Sequence, residues 1–164
     1  MRSLFFLVFG CLLQLVLQGQ SSANFTSTLN IQPVMELSLT NTASNATFST
    51  PDQYAGEYVI SNFNNIKINS NQNWNLSMAA TSNVFTASGT FASANMPASI
   101  CRIGVTGQSA VLTLSTTSQL LSTGNRGSET AAGNSFDITL RINPGYNYGA
   151  GIYNIGIVYT LTAK

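Results

Sequence analysis

The chain has 164 residues, six basic and five acidic side chains, two cysteines and no histidine. Without histidine, Ser-His-Asp and Cys-His catalytic arrangements and histidine-ligated metal sites are excluded. Charged residues make up only 7% of the chain and their signs nearly balance, so there is no basic footprint for nucleic acid or an anionic membrane. Polarity comes instead from 20 Ser, 18 Thr and 18 Asn. A surface of that kind depends little on salt or pH.

Arg2 opens the chain, and an apolar run from Leu4 to Leu17 follows, broken only by Gly10 and Gln14. The small residues Ser21-Ser22-Ala23 come next. This pattern predicts a secretory signal peptide over residues 1–23, cleaved after Ala23. As a helix the apolar run would reach about 21 Å, short of the roughly 30 Å hydrocarbon core, which argues against a membrane anchor. A lipoprotein signal ending before Cys11 would leave apolar Leu12 to Leu17 at the mature N-terminus, and is the weaker reading.

Cleavage would leave residues 24–164 as one domain, long enough to bury about two thirds of its unfolded surface. Lys67, Arg102, Arg126, Arg141 and Lys164 then balance Glu36, Asp52, Glu57, Glu129 and Asp137. Cys101 would stand alone, so packing and sheet hydrogen bonds rather than a disulfide must hold an exported fold.

Beyond residue 23 the apolar residues alternate with a period of two. Met35, Leu37 and Leu39 share one parity, as do Ile66 and Ile68, and Trp74, Leu76 and Met78. Cys101, Ile103 and Val105 follow, then Leu112 and Leu114, then Phe136, Ile138, Leu140 and Ile142. The last run, Tyr153-Ile155-Ile157-Tyr159-Leu161, reads as one continuous strand. Turn formers separate these runs: Thr50-Pro51-Asp52, Ser70 to Asn73, Met96-Pro97, Gly124 to Gly127 and Asn143-Pro144-Gly145. The expected fold is therefore all-β, an antiparallel two-sheet β-sandwich of about 7–9 strands. Gly124 to Asn134 is expected to be its longest and loosest loop. Thr139 is expected on the solvent face of its strand, opposite Leu140.

Few residues offer chemistry. Asp52 and Glu57 are the only close carboxylates, and they flank a turn without partners that would make them an acid/base pair. Cys101 shares the parity of Ile103 and Val105 and reads as a core residue. No catalytic, metal-binding or cofactor-binding set is expected, and the protein is read as a non-enzyme. A binding site has more substance. Tyr146, Asn147 and Tyr148 lie in the glycine-rich stretch Pro144 to Gly151. Their rings could stack on sugars, with Asn147 supplying amide hydrogen bonds. Alternatively, both rings cap the end of the core. Trp74 alternates with Leu76 and Met78 and is expected to be buried.

The segment Trp74-Asn75-Leu76 resembles the first motif of WxL-type bacterial surface domains. The place of that family's second motif is held here by Tyr159-Thr160-Leu161, with tyrosine for tryptophan. The resemblance implies a secreted β-domain held non-covalently at the cell wall, with Trp74, Leu76, Tyr159 and Leu161 in its core. The chain also resembles bacterial fimbrial subunits, exported Thr/Ser/Asn-rich sandwiches that end in an alternating strand with a tyrosine near the terminus. That resemblance implies joining of subunits through an N-terminal extension, here Phe25, Leu29 and Ile31. Pairing of the same residues within their own molecule is the expectation preferred here.

The expected function is that of an exported, non-catalytic structural or adhesive component of the bacterial cell surface. The alternative is a carbohydrate-binding domain that uses the loop tyrosines. Expected partners are the cell envelope or neighbouring surface subunits, with polysaccharide a further candidate and self-assembly open. Nucleic acid is not expected, nor is membrane insertion after signal removal.

Overall fold

The computed structural model describes residues 22–42 and 45–164. Residues 1–21, and with them most of the expected signal peptide, lie outside the described residues. The chain divides into two units, one ending at Ile31 and one spanning Gln32–Lys164. In the first unit, residues 22–31 form neither helix nor strand. Phe25, Leu29 and Ile31 are 92%, 82% and 71% exposed. Residues 25–31 thus lack the strand conformation that the expected pairing within their own molecule calls for. The first strand begins only at Met35.

The second unit is all-β and antiparallel, as its period-two alternation dictates. In chain order its elements are β1 (Met35–Asn41), α1 (Pro51–Ala55), β2 (Tyr58–Ser70), β3 (Trp74–Ala80) and β4 (Thr86–Ser88). These are followed by β5 (Cys101–Val105), β6 (Leu112–Thr113), β7 (Gln119–Gly124), β8 (Ser135–Ile142), β9 (Ile152–Asn154) and β10 (Ile157–Ala163). A five-stranded sheet runs β1-β2-β8-β5-β6, a three-stranded sheet β10-β3-β7, and β4 pairs with β9. The inward residues of the two larger sheets meet in one core. Ile66 and Ile68 of β2, Ile103 of β5 and Ile138 of β8 pack with Trp74, Leu76 and Met78 of β3, all at most 1% exposed. The result is sandwich-like.

Four local outcomes differ from the expectations. The segment around Thr50-Pro51-Asp52 forms a helical turn, α1, rather than a simple bend. Proline at the first helical position suits its fixed φ, and Gln53 Oε1 reaches back to accept the Thr50 N–H at 3.0 Å. The last alternating run is not one strand. It divides at Gly156, which lies so close to Thr81 that a Cβ there would meet the threonine side chain at 2.7 Å. Thr81 N donates to Gly156 O at 2.9 Å and Gly156 N to Thr81 Oγ1 at 3.2 Å. These contacts send β9 to β4 and β10 to β3 while the inward parity is kept across the break.

Thr139 is only 8% exposed, not solvent-facing. Its strand, β8, runs between β2 and β5, and its hydroxyl shares a 2.8 Å hydrogen bond with Thr106 Oγ1. The loop from Gly124 to Asn134 is tied down rather than loose. Ser70 and Gly127 exchange backbone hydrogen bonds at 2.9 and 2.7 Å, and Glu129 N donates to Asn69 Oδ1 at 2.7 Å. Asn134, 1% exposed, closes the loop over the core.

Candidate functional site

The motif residues come together, and they are structural. In the β3–β10 ladder Leu76 stands opposite Leu161, Met78 opposite Tyr159 and Trp74 opposite Ala163. Trp74 and Leu76 are fully buried, while Tyr159 and Leu161 are half-buried against them. The Trp74 indole N–H donates to Asn125 O and Asn134 Oδ1, both at 3.1 Å. Tyr159 keeps one polar contact, with Asn64 Nδ2 donating to its hydroxyl at 3.2 Å. Burial raises the phenol's pKa, and the Asn64 hydrogen bond offsets part of that rise. Cys101 is buried too, which pushes its thiol up to about 12. A thiol so far from ionisation is a poor nucleophile at neutral pH.

The loop tyrosines stand apart from this core. Gly145, at φ +56°, turns the chain after buried Pro144 and presents Tyr146 on the surface. Tyr146 is 71% exposed, so it is no core cap. Its ring stacks on Tyr54 at 5.3 Å and 22°, and its hydroxyl donates to Pro51 O at 3.1 Å. Tyr54 in turn packs on Phe48, and Phe48 on Tyr58, at 5.4 and 5.2 Å. The result is a short aromatic row tied to α1. Asn147 is exposed beside it, whereas Tyr148 is half-buried. The loop therefore brings Tyr146 and Asn147 to the surface together and leaves Tyr148 only partly available.

Near the same end lies a charge cluster that residue spacing alone does not reveal. Arg102 of β5 and Arg141 of β8 are direct cross-strand partners. Like charges so placed repel, and Glu57, just ahead of β2, lies between them. Its carboxylate accepts from Arg102 Nε at 3.0 Å and Arg141 Nη1 at 3.1 Å, and also pairs with Arg102 Nη2. Partial burial pushes the Glu57 carboxyl up, but the hydrogen bonds and charges of the two arginines outweigh it and hold the carboxyl below its ordinary value. A carboxylate so occupied is no acid/base partner for Asp52. The signal was available in sequence only to a reader who already knew the β5–β8 register.

The opposite end of β2 carries a second feature that the pattern analysis missed. Asn71, Gln72 and Asn73 of the β2–β3 turn, with Asn125 and Arg126, line a depression of about 470 Å³. Among the described residues, no three His, Cys, Asp or Glu side chains gather as metal ligands. Among them, too, no helix is long and apolar enough to cross a membrane.

The fold and these surfaces define a class no narrower than an antiparallel all-β protein with an aromatic row at one end and an amide-lined depression at the other. No protein-family model matches the chain, and no curated protein matches it in sequence.

Proposed function

We infer that the protein is an exported, non-catalytic component of the bacterial cell surface that works by joining neighbouring subunits or the envelope. The observation that carries this reading is the outer edge of β10. As the end strand of its sheet, β10 has no strand paired along that edge among the described residues. It is seven residues long, and its outward residues Val158, Thr160 and Thr162 carry no charge. Among the edges of the two larger sheets, β1 carries Glu36 and β6 is two residues long, while β7 is uncharged like β10 but one residue shorter. An unpaired, uncharged edge invites strand addition from another chain. Phe25, Leu29 and Ile31 supply exposed apolar side chains at strand-compatible spacing in a second copy.

Light scattering across a hundredfold concentration range tests the reading. The expected result is mass that grows with concentration, because head-to-tail addition leaves a free edge and a free segment at the two ends of every chain. Deleting residues 24–31, or introducing Val158→Lys with Thr160→Lys, should each stop that growth. A wild-type protein that stays monomeric throughout would overturn the reading.

Exposed Tyr146, with Asn147 beside it, supports a second reading as a carbohydrate-binding domain. Stacking on a sugar ring needs an accessible aromatic face, and Tyr146 is 71% exposed. Tyr146→Ala is expected to abolish glycan capture while leaving the melting temperature nearly unchanged. Unaltered capture, or no capture by the wild type on a broad glycan array, would remove this reading.

A further inference from the structure

Asn73 ties two distant segments to one point. Its side-chain Oδ1 accepts the backbone N–H of Arg126 at 3.1 Å, and its backbone O accepts the N–H of Lys164 at 2.9 Å. The loop after β7 and the residue after β10 are thereby brought to the same turn. Both carry a cation. Lys67 pairs with Glu129, and Arg102 and Arg141 share Glu57, but neither Arg126 nor Lys164 pairs with a carboxylate among the described residues. The other three described cations each contact a carboxylate, and the two residues whose cations do not are both bonded to Asn73 through their backbone N–H groups.

The amides around them are unequally occupied. Asn71 is spent on structure, accepting from Val34 N at 2.9 Å and donating to Gln32 O at 2.7 Å. Asn73 uses its Oδ1, and its Nδ2 makes no hydrogen bond among the described residues. The side-chain amides of Gln72 and Asn125 make no hydrogen bond among the described residues, yet both line the depression with Arg126. The lining therefore offers amide donors and acceptors together with a guanidinium fork. Amides that both donate and accept match sugar hydroxyls, which do the same. A guanidinium matches a carboxylate with two parallel hydrogen bonds.

We propose that the depression lined by Gln72, Asn73, Asn125 and Arg126, beside which the backbone of Lys164 bonds Asn73, binds an acidic saccharide through its carboxylate and adjacent hydroxyls. The site lies at the far end of β2 from Tyr146. It goes beyond the assembly reading and does not depend on it or on the tyrosine loop.

The test titrates the exported protein with tetragalacturonic acid, with its fully methyl-esterified form and with inorganic phosphate, following binding by calorimetry. The free acid should bind in a salt-sensitive manner, and the ester, which keeps the hydroxyls but loses the charge, should bind at least about tenfold more weakly. Arg126→Gln should lower affinity for the acid by about tenfold without moving the melting temperature, because the backbone N–H that bonds Asn73 remains. Lys164→Gln should weaken binding less. Gln72→Ala with Asn125→Ala should weaken the saccharide and leave phosphate unchanged. Equal binding of acid and ester, full affinity in Arg126→Gln, or no binding of the acid would overturn the proposal. Phosphate binding as tight as the saccharide would reduce the site to one for small anions and overturn the saccharide assignment.

Discussion

Trp74→Ala is expected to lower the stability of the fold by about 3–5 kcal/mol, the usual range for removing a large buried aromatic. The residue is fully buried and its ring lies against Phe136 at 6.3 Å. Its indole N–H also satisfies the buried side chain of Asn134. Losing that donor leaves Oδ1 short of a partner in a residue only 1% exposed, a penalty of about 1–3 kcal/mol within the same range. Trp74→Phe separates the two contributions, keeping an aromatic ring and losing the hydrogen bond. Gly124 lies across the slot, and a Cβ built there would stand 2.1 Å from Trp74 Cζ2. Gly124→Ala should therefore be severely destabilising in the wild type and nearly harmless in Trp74→Ala, which has vacated that space. Denaturant unfolding of the four proteins in this cycle gives the coupling. Additive effects would show that the indole does not fill the slot against Gly124.

Leu140→Ala is the second large effect, about 2–5 kcal/mol through lost burial and the cavity left behind. The side chain is 6% exposed and belongs to the core shared by the larger sheets. Its neighbour on β8 sharpens the test. Thr139→Ala removes a hydroxyl bonded to Thr106 Oγ1 at 2.8 Å and should cost about 1 kcal/mol, the net value of a typical intramolecular hydrogen bond. Thr106→Ala should cost about the same, and the double variant little more than either alone. A Thr139→Ala cost equal to that of Leu140→Ala would mean that Thr139 is held by more than its hydrogen bond to Thr106.

The core was legible because period-two alternation identifies the inward residues of a sheet wherever one face is buried. Ile66, Ile68, Trp74, Leu76, Met78, Ile103, Ile138 and Leu140 were all read from parity, and all are buried. Parity could not reveal where a strand changes partners. Tyr153 and Tyr159 keep the inward phase on either side of Gly156, so the break between β9 and β10 is invisible to alternation. It depends on a close approach between Gly156 and Thr81, which lie far apart in sequence. Thr139 was misplaced for a related reason. Alternation marks the two faces of a strand, and it does not say whether the second face is covered too. Glu57 and Arg126 were missed as site residues because their surroundings come from long-range register. Arg102 faces Arg141 only once β5 lies beside β8, and Arg126 reaches Asn73 only once the loop after β7 is folded back.

The strand order also governs when the molecule can fold. β2 pairs with β8 and β3 with β10, so Trp74 faces Ala163 and Asn64 faces Ile138 across long stretches of sequence. Local hairpins cannot enclose the tryptophan, because its ladder partners, Gly124 and Ala163, both lie far from it in sequence. Such non-local closure is slow, in the range of milliseconds to seconds for all-β domains. The apolar face of β3 lies against Ile66, Ile68, Ile103 and Ile138 of the other sheet, so it stays uncovered until β5 and β8 have been made. A chain that emerges from its N-terminus must therefore keep Ile66, Trp74 and Leu76 from other partners until β8 has followed them.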